Sequence, residues 1–368
     1  MSNTDAQVKP RVLTPKPLLR HTFSINPPSQ QSPSTSAEAY VPTPEEIADA
    51  LWRSKMQSLN KDSMFVSRPA AEWVDEASRL GDPVPLWGGS VWFEHEVCCL
   101  FADTNVGKSI LAVQIADEIA AEGHRVVYFD FEMSAKQFQM RYTDTDTGEC
   151  HKFSPNLMRV EVNPERGMSY DIVKVAGAMR DHVNLHKADV MIIDNISWLC
   201  NETENGEAAG QLMQILIGMK REMDLSILVL AHTPKRGVAS PLTQNSLAGS
   251  KKIANFMDSI FAIGRDMTAL PHGRYLKQIK VRSAPIEYHD GNVLKMCIEK
   301  RDKMLRFSHT DSTDIESNLI GEPDRDALRR QRYAKIAELK REGLSLRQIA
   351  DRVGLSKSSV ERALMHPC

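Results

Sequence analysis

One stretch restricts the possible folds of this chain more than any other. Val97-Cys98-Cys99-Leu100-Phe101 is an apolar run of strand length, and Ala102-Asp103-Thr104-Asn105-Val106-Gly107-Lys108-Ser109 follows it directly. Behind that loop Leu111, Ile115 and Ile119, with Val113 and Ala116, recur at helical spacing. A G-x-x-x-x-G-K-[ST] loop works only between a buried strand and a helix, because its backbone N–H groups must converge on phosphates at the helix N-terminus. Both flanks are present, so the Gly-Lys-Ser reads as a phosphate loop rather than a chance tripeptide. Asp103, Thr104, Asn105, Val106, Gly107, Lys108, Ser109 and Ile110 are then the expected nucleotide-binding residues. Ala102 stands where the first glycine belongs. Alanine fits there wherever φ is negative, whereas Gly107 lets the backbone approach the phosphates closely.

The surrounding pattern is that of an α/β protein. From Glu96 to about His309 strands and helices alternate, with strands expected at 97–102, 125–131, 190–194, 226–231 and 259–264, and 275–282 with 295–307 as a terminal hairpin. Strands separated by helices imply a mostly parallel sheet that binds ligands at the carboxyl ends of its strands. With 368 residues, 42% hydrophobic and 26% charged, the chain has room for this core, placed at 85–310, and for a small second unit. Residues 1–40, rich in Pro, Ser, Gln and Thr, read as a disordered tail. Thr43-Pro44-Glu45-Glu46 gives an N-cap, a first-turn proline and two acids, opening a helix toward Leu59, and Glu72–Leu80 gives a second short one, so 41–84 is a helical segment. Leu86–Phe93, with Trp87, Trp92 and a Gly88-Gly89 turn, fits two readings: a hairpin at the sheet edge, or aromatics packing a nucleotide base.

The acids fall where phosphate chemistry needs them. Arg125–Glu132 is the second strand, and Glu132 at its carboxyl end can orient and deprotonate a water for attack on a γ-phosphate. Asp130, two residues earlier, is its rival. Val190-Met191-Ile192-Ile193 buries another strand whose end carries Asp194, an acid placed to hold Mg²⁺ through a water while Ser109 binds the ion directly. The cofactors expected are therefore ATP and Mg²⁺, and the activity ATP hydrolysis.

In order and spacing the phosphate loop, FDFEMSAKQFQMR, VMIIDN, ILVLAHTPKR and YLKQIKVRSAP resemble the RecA-like ATPases, above all the DnaB and RepA replicative-helicase group found in mobile elements and replicons. The resemblance covers about residues 85–310 and implies a RecA-like P-loop NTPase core. It favours Glu132 over Asp130 as the catalytic base and makes His232 the γ-phosphate sensor. It implies that Lys280 and Arg282 are fingers reaching a neighbour's nucleotide, the alternative being two exposed strand cations. A homo-oligomeric ring, a hexamer, follows from fingers supplied in trans. The loop 235–248, with Lys235 and Arg236, matches the family's contact with single-stranded DNA, although a solvated loop fits the same residues. The N-terminal helical segment is short and does not read like a primase-interacting domain.

After a linker at 311–324, residues 325–368 form a separate basic pattern. Ile336 and Leu339 make a stripe, Gly343 stops one helix, Ser345 and Ser356 cap two more, and Gly354 sits in the turn between those two. This small all-α unit resembles the helix-turn-helix of resolvases and invertases, which implies duplex DNA contacts from Arg347, Lys357, Ser358, Ser359 and Arg362, with protein docking as the alternative. A net charge of −2 adds no global signal for nucleic acid. The six cysteines show no C-x-x-C pair and read as reduced, without disulfides or zinc. No run of 18 apolar residues exists and the first residues lack a secretory apolar stretch, so no membrane partner and a cytoplasmic location are expected. Two functions compete: a DNA-associated helicase or motor, and an ATP-dependent regulator or assembly factor for transposition, recombination or partition without unwinding. A nucleotide-dependent transcription factor with little turnover is a third.

Overall fold

Five strands that are apolar on both faces can be satisfied only between two layers of helix, and the chain builds that arrangement, adding a sixth parallel strand at one edge. The computed structural model describes residues 42–166, 171–196, 206–233, 240–247, 250–301, 303–320, 325–353, 355 and 357–365. The expected tail at 1–40 lies outside the described residues, as do Lys235 and Arg236. The parallel strands are β3 (Val97–Ala102), β4 (Val126–Asp130), β5 (Leu157–Glu161), β6 (Val190–Asp194), β7 (Ser226–His232) and β8 (Ser259–Arg265). An antiparallel meander of β9 (Gly273–Lys280), β10 (Val293–Arg301) and β11 (Met304–Asp314) extends one side. The nine strands run in the order β11-β10-β9-β8-β3-β7-β6-β4-β5.

Alternation along β3 divides the core. Val97, Cys99 and Phe101 pack with α5 (Ile172–His186) and α6 (Gly206–Met223), while Cys98, Leu100 and Ala102 pack with α3 (Lys108–Ala121) on the opposite face. Leu111, Ile115 and Ile119 of α3 are buried, each stabilising the fold by about 1.5–3 kcal/mol. Cys98 and Cys99 are buried strand residues, as small core hydrophobes should be.

Three strand expectations need correction. The stretch 295–307 is not one strand: Lys303 adopts φ +68°, and the chain turns there from β10 into β11. β9 ends at Lys280, so Arg282 lies beyond the strand rather than on its alternating face. β5 was not expected at all; as an edge strand with a half-buried pattern, Leu-Met-Arg-Val-Glu lacks the continuous apolar run of its neighbours.

The chain divides into two units, one ending at Gly81 and one starting at Asp82. In the first, α1 (Pro44–Asp62) begins with a Thr43–Glu46 capping box and α2 (Ala70–Ser78) follows. Within the second, α4 (Ala135–Arg141), α7 (Ser250–Phe256) and α8 (Glu316–Leu319) complete the core. Then α9 (Arg325–Arg341), α10 (Leu346–Val353) and α11 (Lys357–Met365) gather Ile336, Leu339, Ile349, Ala350, Val360 and Ala363 into a separate apolar cluster. Ser345 shares a capping box with Gln348 at the start of α10, and Gly343 takes φ +84° after α9. Ser356 and Gly354 lie outside the described residues.

Candidate functional site

The phosphate loop leaves β3 at Ala102 and enters α3 at Lys108, so the free amides of the first helical turn face the loop's interior. Thr104 and Asn105 are exposed, while Asp103, Gly107, Ser109 and Ile110 are half-buried and Val106 is buried. Ala102 is the last residue of a regular strand and is not among the residues with positive φ, so its side chain costs nothing there. Gly107 has two constraints. Its φ is +113°, and a Cβ would come within 2.9 Å of Ile298 and 3.0 Å of Phe307 from the meander. Two arginines hold the loop's carbonyls outward: Arg274 Nε donates to Val106 O at 2.8 Å and Arg265 Nη2 to Asn105 O at 3.0 Å.

Lys108 is buried. Its Nζ donates to Ala102 O and to His232 Nδ1, each at 3.0 Å. Burial lowers its pKa, opposed by Asp194, Glu132 and Asp103. His232 Nε2 faces Asn195 Nδ2 at 2.8 Å and Glu132 Oε1 at 3.2 Å. Asn195 Nδ2 donates to the same oxygen. The His232 hydrogen bond, opposed by burial and helped by Lys108 and Asn195, holds the Glu132 carboxyl below its ordinary value. Glu132 is therefore ionised at neutral pH.

Asp194 is fully buried at the end of β6 and pairs across the sheet with Asp130. Tyr128 donates its hydroxyl to Oδ2 at 2.7 Å, and Ser109 also hydrogen-bonds the carboxyl. The other oxygen, Oδ1, is buried without a hydrogen-bond partner. Burial pushes Asp194 up to about 6; the bonds from Ser109 and Tyr128 oppose this, and Glu132 and Asp130 add to it. An acid whose folded pKa stands above its unfolded value near 3.9 binds more protons when folded between about pH 4 and 6. Its contribution to stability therefore falls as pH rises through that window. In nucleotide-free protein at pH 7.5, Asp194→Asn should raise stability by about 1–3 kcal/mol. The same change should remove Mg²⁺-dependent nucleotide binding. Thermal unfolding with and without Mg²⁺-ATP checks both halves, and an unchanged or lower melting point in the free protein would contradict the strain assigned to this acid.

Lys108, Ser109, Glu132, Asp194 and His232 thus share the carboxyl rim of the sheet. Lys280 and Arg282 do not. Lys280 pairs with Ile260 near the start of β8, at the opposite rim, and its Nζ donates to Ala254 O at 3.0 Å and Met257 O at 2.6 Å. Arg282 Nη1 donates to Asp258 Oδ1 at 2.9 Å. Burial opposes ionisation of Asp258, but Lys220, the Val97 amide and Arg282 outweigh it and hold the carboxyl below its usual value. Beyond the undescribed part of the 235–248 loop, the segment is clamped at Leu242. Its N–H donates to Glu316 Oε1 at 2.8 Å, and its carbonyl accepts from buried Lys277 at 2.6 Å.

Leu86–Phe93 forms the hairpin, β1 (Pro85–Trp87) with β2 (Trp92–Phe93). Trp92 is buried, Trp87 stacks on Phe261 at 5.9 Å, and its Nε1 donates to Glu118. Trp87 lines a cleft of about 1220 Å³ whose walls include none of residues 102–110. On the C-terminal helices, Arg347, Lys357, Ser358 and Arg362 are exposed and Ser359 is half-buried.

Sequence reasoning missed Asn195, Tyr128, Arg159, Arg265 and Arg274. Tyr128 carried a usable signal, because a hydroxyl in a buried strand needs a partner. The arginines gave none beyond a cation inside a strand-like run, since their partners are backbone carbonyls and a distant acid.

The family model described as "AAA domain" matches residues 66–238, a little under half of the chain. Curated relatives are DNA repair proteins named RadA. That of Chlamydia pneumoniae is 21% identical over 67% of this chain and 49% of its own length. That of Bacillus subtilis is 20% identical over 57% and 42%, and that of Campylobacter jejuni 26% over 50% and 36%. The chain thus spans about half or less of the length of these relatives. Among solved structures, a KaiC-like protein from Pyrococcus horikoshii aligns with 62% of this chain and 97% of its own, at 15% identity and a TM-score of 0.44. The family match and the RadA relatives support a RecA-like P-loop ATPase core. Among the described residues no helix is long and apolar enough to cross a membrane.

Proposed function

We propose that the chain is a cytoplasmic, Mg²⁺-dependent ATP hydrolase that works on DNA as a homo-oligomeric ring, a DnaB- or RepA-like motor of a mobile element or replicon. One observation carries the hydrolase reading: Lys108, Glu132, Asp194 and His232 converge at the carboxyl ends of four adjacent strands. The naming of the relatives as DNA repair proteins supports DNA as the partner.

The residues fit Mg²⁺. The unpartnered buried Oδ1 of Asp194, on a carboxyl already repelled by two other acids, suits a cation or a metal-held water, and Ser109 is beside it. Ser109 and Asp194 would hold the ion, which would supply positive charge against the phosphates. Lys108 exchanges its contacts with Ala102 and His232 for phosphate oxygens. Glu132, ionised, accepts the proton of the attacking water. His232, released by Lys108 and bonded to Glu132, is placed to respond to the γ-phosphate. The loop amides and the α3 N-terminus bind the remaining phosphate oxygens.

The second reading, a DNA-bound regulator or assembly factor without unwinding, is favoured by the separate cluster of α9–α11 and its exposed Arg347, Lys357 and Arg362. A chain cut to residues 41–324, which keeps α8 and the Glu316 clamp on Leu242, separates the two. If the motor reading holds, single-stranded DNA still stimulates its ATP turnover, while duplex binding, read by α11, is lost. Stimulation that disappears with the tail supports the regulator and removes the reason for a DNA contact in the loop 235–248. Strand displacement by the full chain on a forked substrate then tests unwinding itself.

A further inference from the structure

Asp130, the sequence-level rival of Glu132, has no oxygen left for a water. It is 2% exposed, and its Oδ1 accepts the backbone N–H groups of Glu132 at 3.1 Å and Met133 at 2.9 Å. Its Oδ2 accepts from Arg159 Nε at 2.9 Å. Arg159 reaches across from β5 and closes the turn from its other end, where Nη2 donates to Met133 O at 2.7 Å. The guanidinium also lies over the Phe138 ring, 4.7 Å from its centroid. One planar fork thus grips both the acid that begins the turn and the carbonyl that ends it, with Glu132 between them.

We infer that Arg159, acting through Asp130, is a positioning residue that sets where the Glu132 carboxylate stands over the phosphate loop. The inference rests on the ATP-hydrolase reading. Among the described residues, the Glu132 and Met133 amides have Asp130 as their hydrogen-bond acceptor, and Phe131 N donates to Asp194 O at 2.8 Å. Asp130 therefore ties the base to the end of its own strand, and Arg159 fixes Asp130 in turn. A lysine has no second donor in a fixed plane and can hold Asp130 or Met133 O well, but not both. Neither Asp130 nor Arg159 contacts the loop 102–110 through a hydrogen bond among the described residues, so nucleotide binding should not depend on the pair. A misplacement of the base by about 1 Å can cost about 10²-fold in rate.

The test uses the full-length protein with Mg²⁺-ATP turnover and binding of a fluorescent ATP analogue measured side by side. Arg159→Met should lower kcat by up to about 10²-fold while leaving analogue affinity within about twofold. Arg159→Lys should recover part of that loss. Arg159→Met leaves Asp130 buried and unpaired, so the double change Asp130→Asn with Arg159→Met is included to remove both charges together. It should bind the analogue and turn over slowly. In a Glu132→Gln background, Arg159→Met should cost no further rate, because the group it positions is already gone. Wild-type turnover in the Lys or neutral-pair variant overturns the inference. Parallel loss of affinity and turnover in every variant, or a full additional loss in the Glu132→Gln background, overturns it too and makes the pair purely structural. Absence of turnover in the unmutated protein is a different failure: it removes the hydrolase reading itself.

Discussion

Glu132→Gln should keep ATP bound and lose about 10²- to 10⁴-fold in turnover, whereas Lys108→Ala should lose the nucleotide itself. The contrast follows from what each side chain faces. Glu132 is exposed at the rim and held ionised by His232, with Lys108 and Asn195 assisting. Glutamine has the same length and still offers an oxygen to His232 and Asn195, so the pocket keeps its shape. It cannot take a proton. Lys108 lies deeper, buried at the N-terminus of α3 among Asp194, Glu132 and Asp103, and without it three acids surround the phosphate position with no cation between them. Triphosphate binding should therefore weaken by orders of magnitude before chemistry is reached. A titration with fluorescent nucleotide beside a phosphate-release assay separates the two. Equal loss of affinity in both variants would remove the assigned division of labour.

The parts of this site that were legible in the sequence are those in which an unbroken apolar run ends in one polar residue. Val190–Ile193 before Asp194, and Ile227–Ala231 before His232, show both the buried parallel strand and the rim position of the polar group, because a strand covered on both faces admits polarity only at its end. Gly107 was legible as a glycine but for part of its reason only. Contact with Ile298 and Phe307 depends on a meander nearly 200 residues downstream, and no local pattern encodes it. Asp130 illustrates the limit. Its spacing from Glu132 puts the two on one strand face, and spacing alone leaves both as candidate bases. Only the tertiary partner Arg159, on an edge strand whose pattern gave no signal, turns Asp130 into a support for its neighbour. Lys280 and Arg282 show the converse. Their Lys-x-Arg spacing suggested a shared strand face, yet the strand ends at Lys280, and the two cations meet at the 254–258 segment through different contacts.

Arg282→Ala should be nearly inactive alone, losing about 10³- to 10⁵-fold in turnover, and should regain part of it when mixed with Lys108→Ala protein. Within one chain Arg282 sits at the amino ends of the parallel strands, away from the phosphate loop, paired with Asp258. From there it cannot serve its own nucleotide, so any catalytic role requires a neighbouring subunit whose loop faces that rim. The fold should survive the substitution, because Asp258 keeps Lys220 at 2.8 Å and the Val97 amide at 3.0 Å and is not left as an unpaired buried charge. An Arg282→Ala subunit still offers an intact phosphate loop, and a Lys108→Ala subunit still offers an intact finger. At equal mixing, on the order of a quarter of the interfaces in a closed ring would join a good loop to a good finger, and turnover should return in about that proportion. Native mass measurement of the mixed assembly shows whether subunits have exchanged. If they have exchanged and no activity returns, Arg282 is a structural partner of Asp258 and the ring loses its catalytic rationale; if activity returns, the site at each phosphate loop is completed by the subunit beside it.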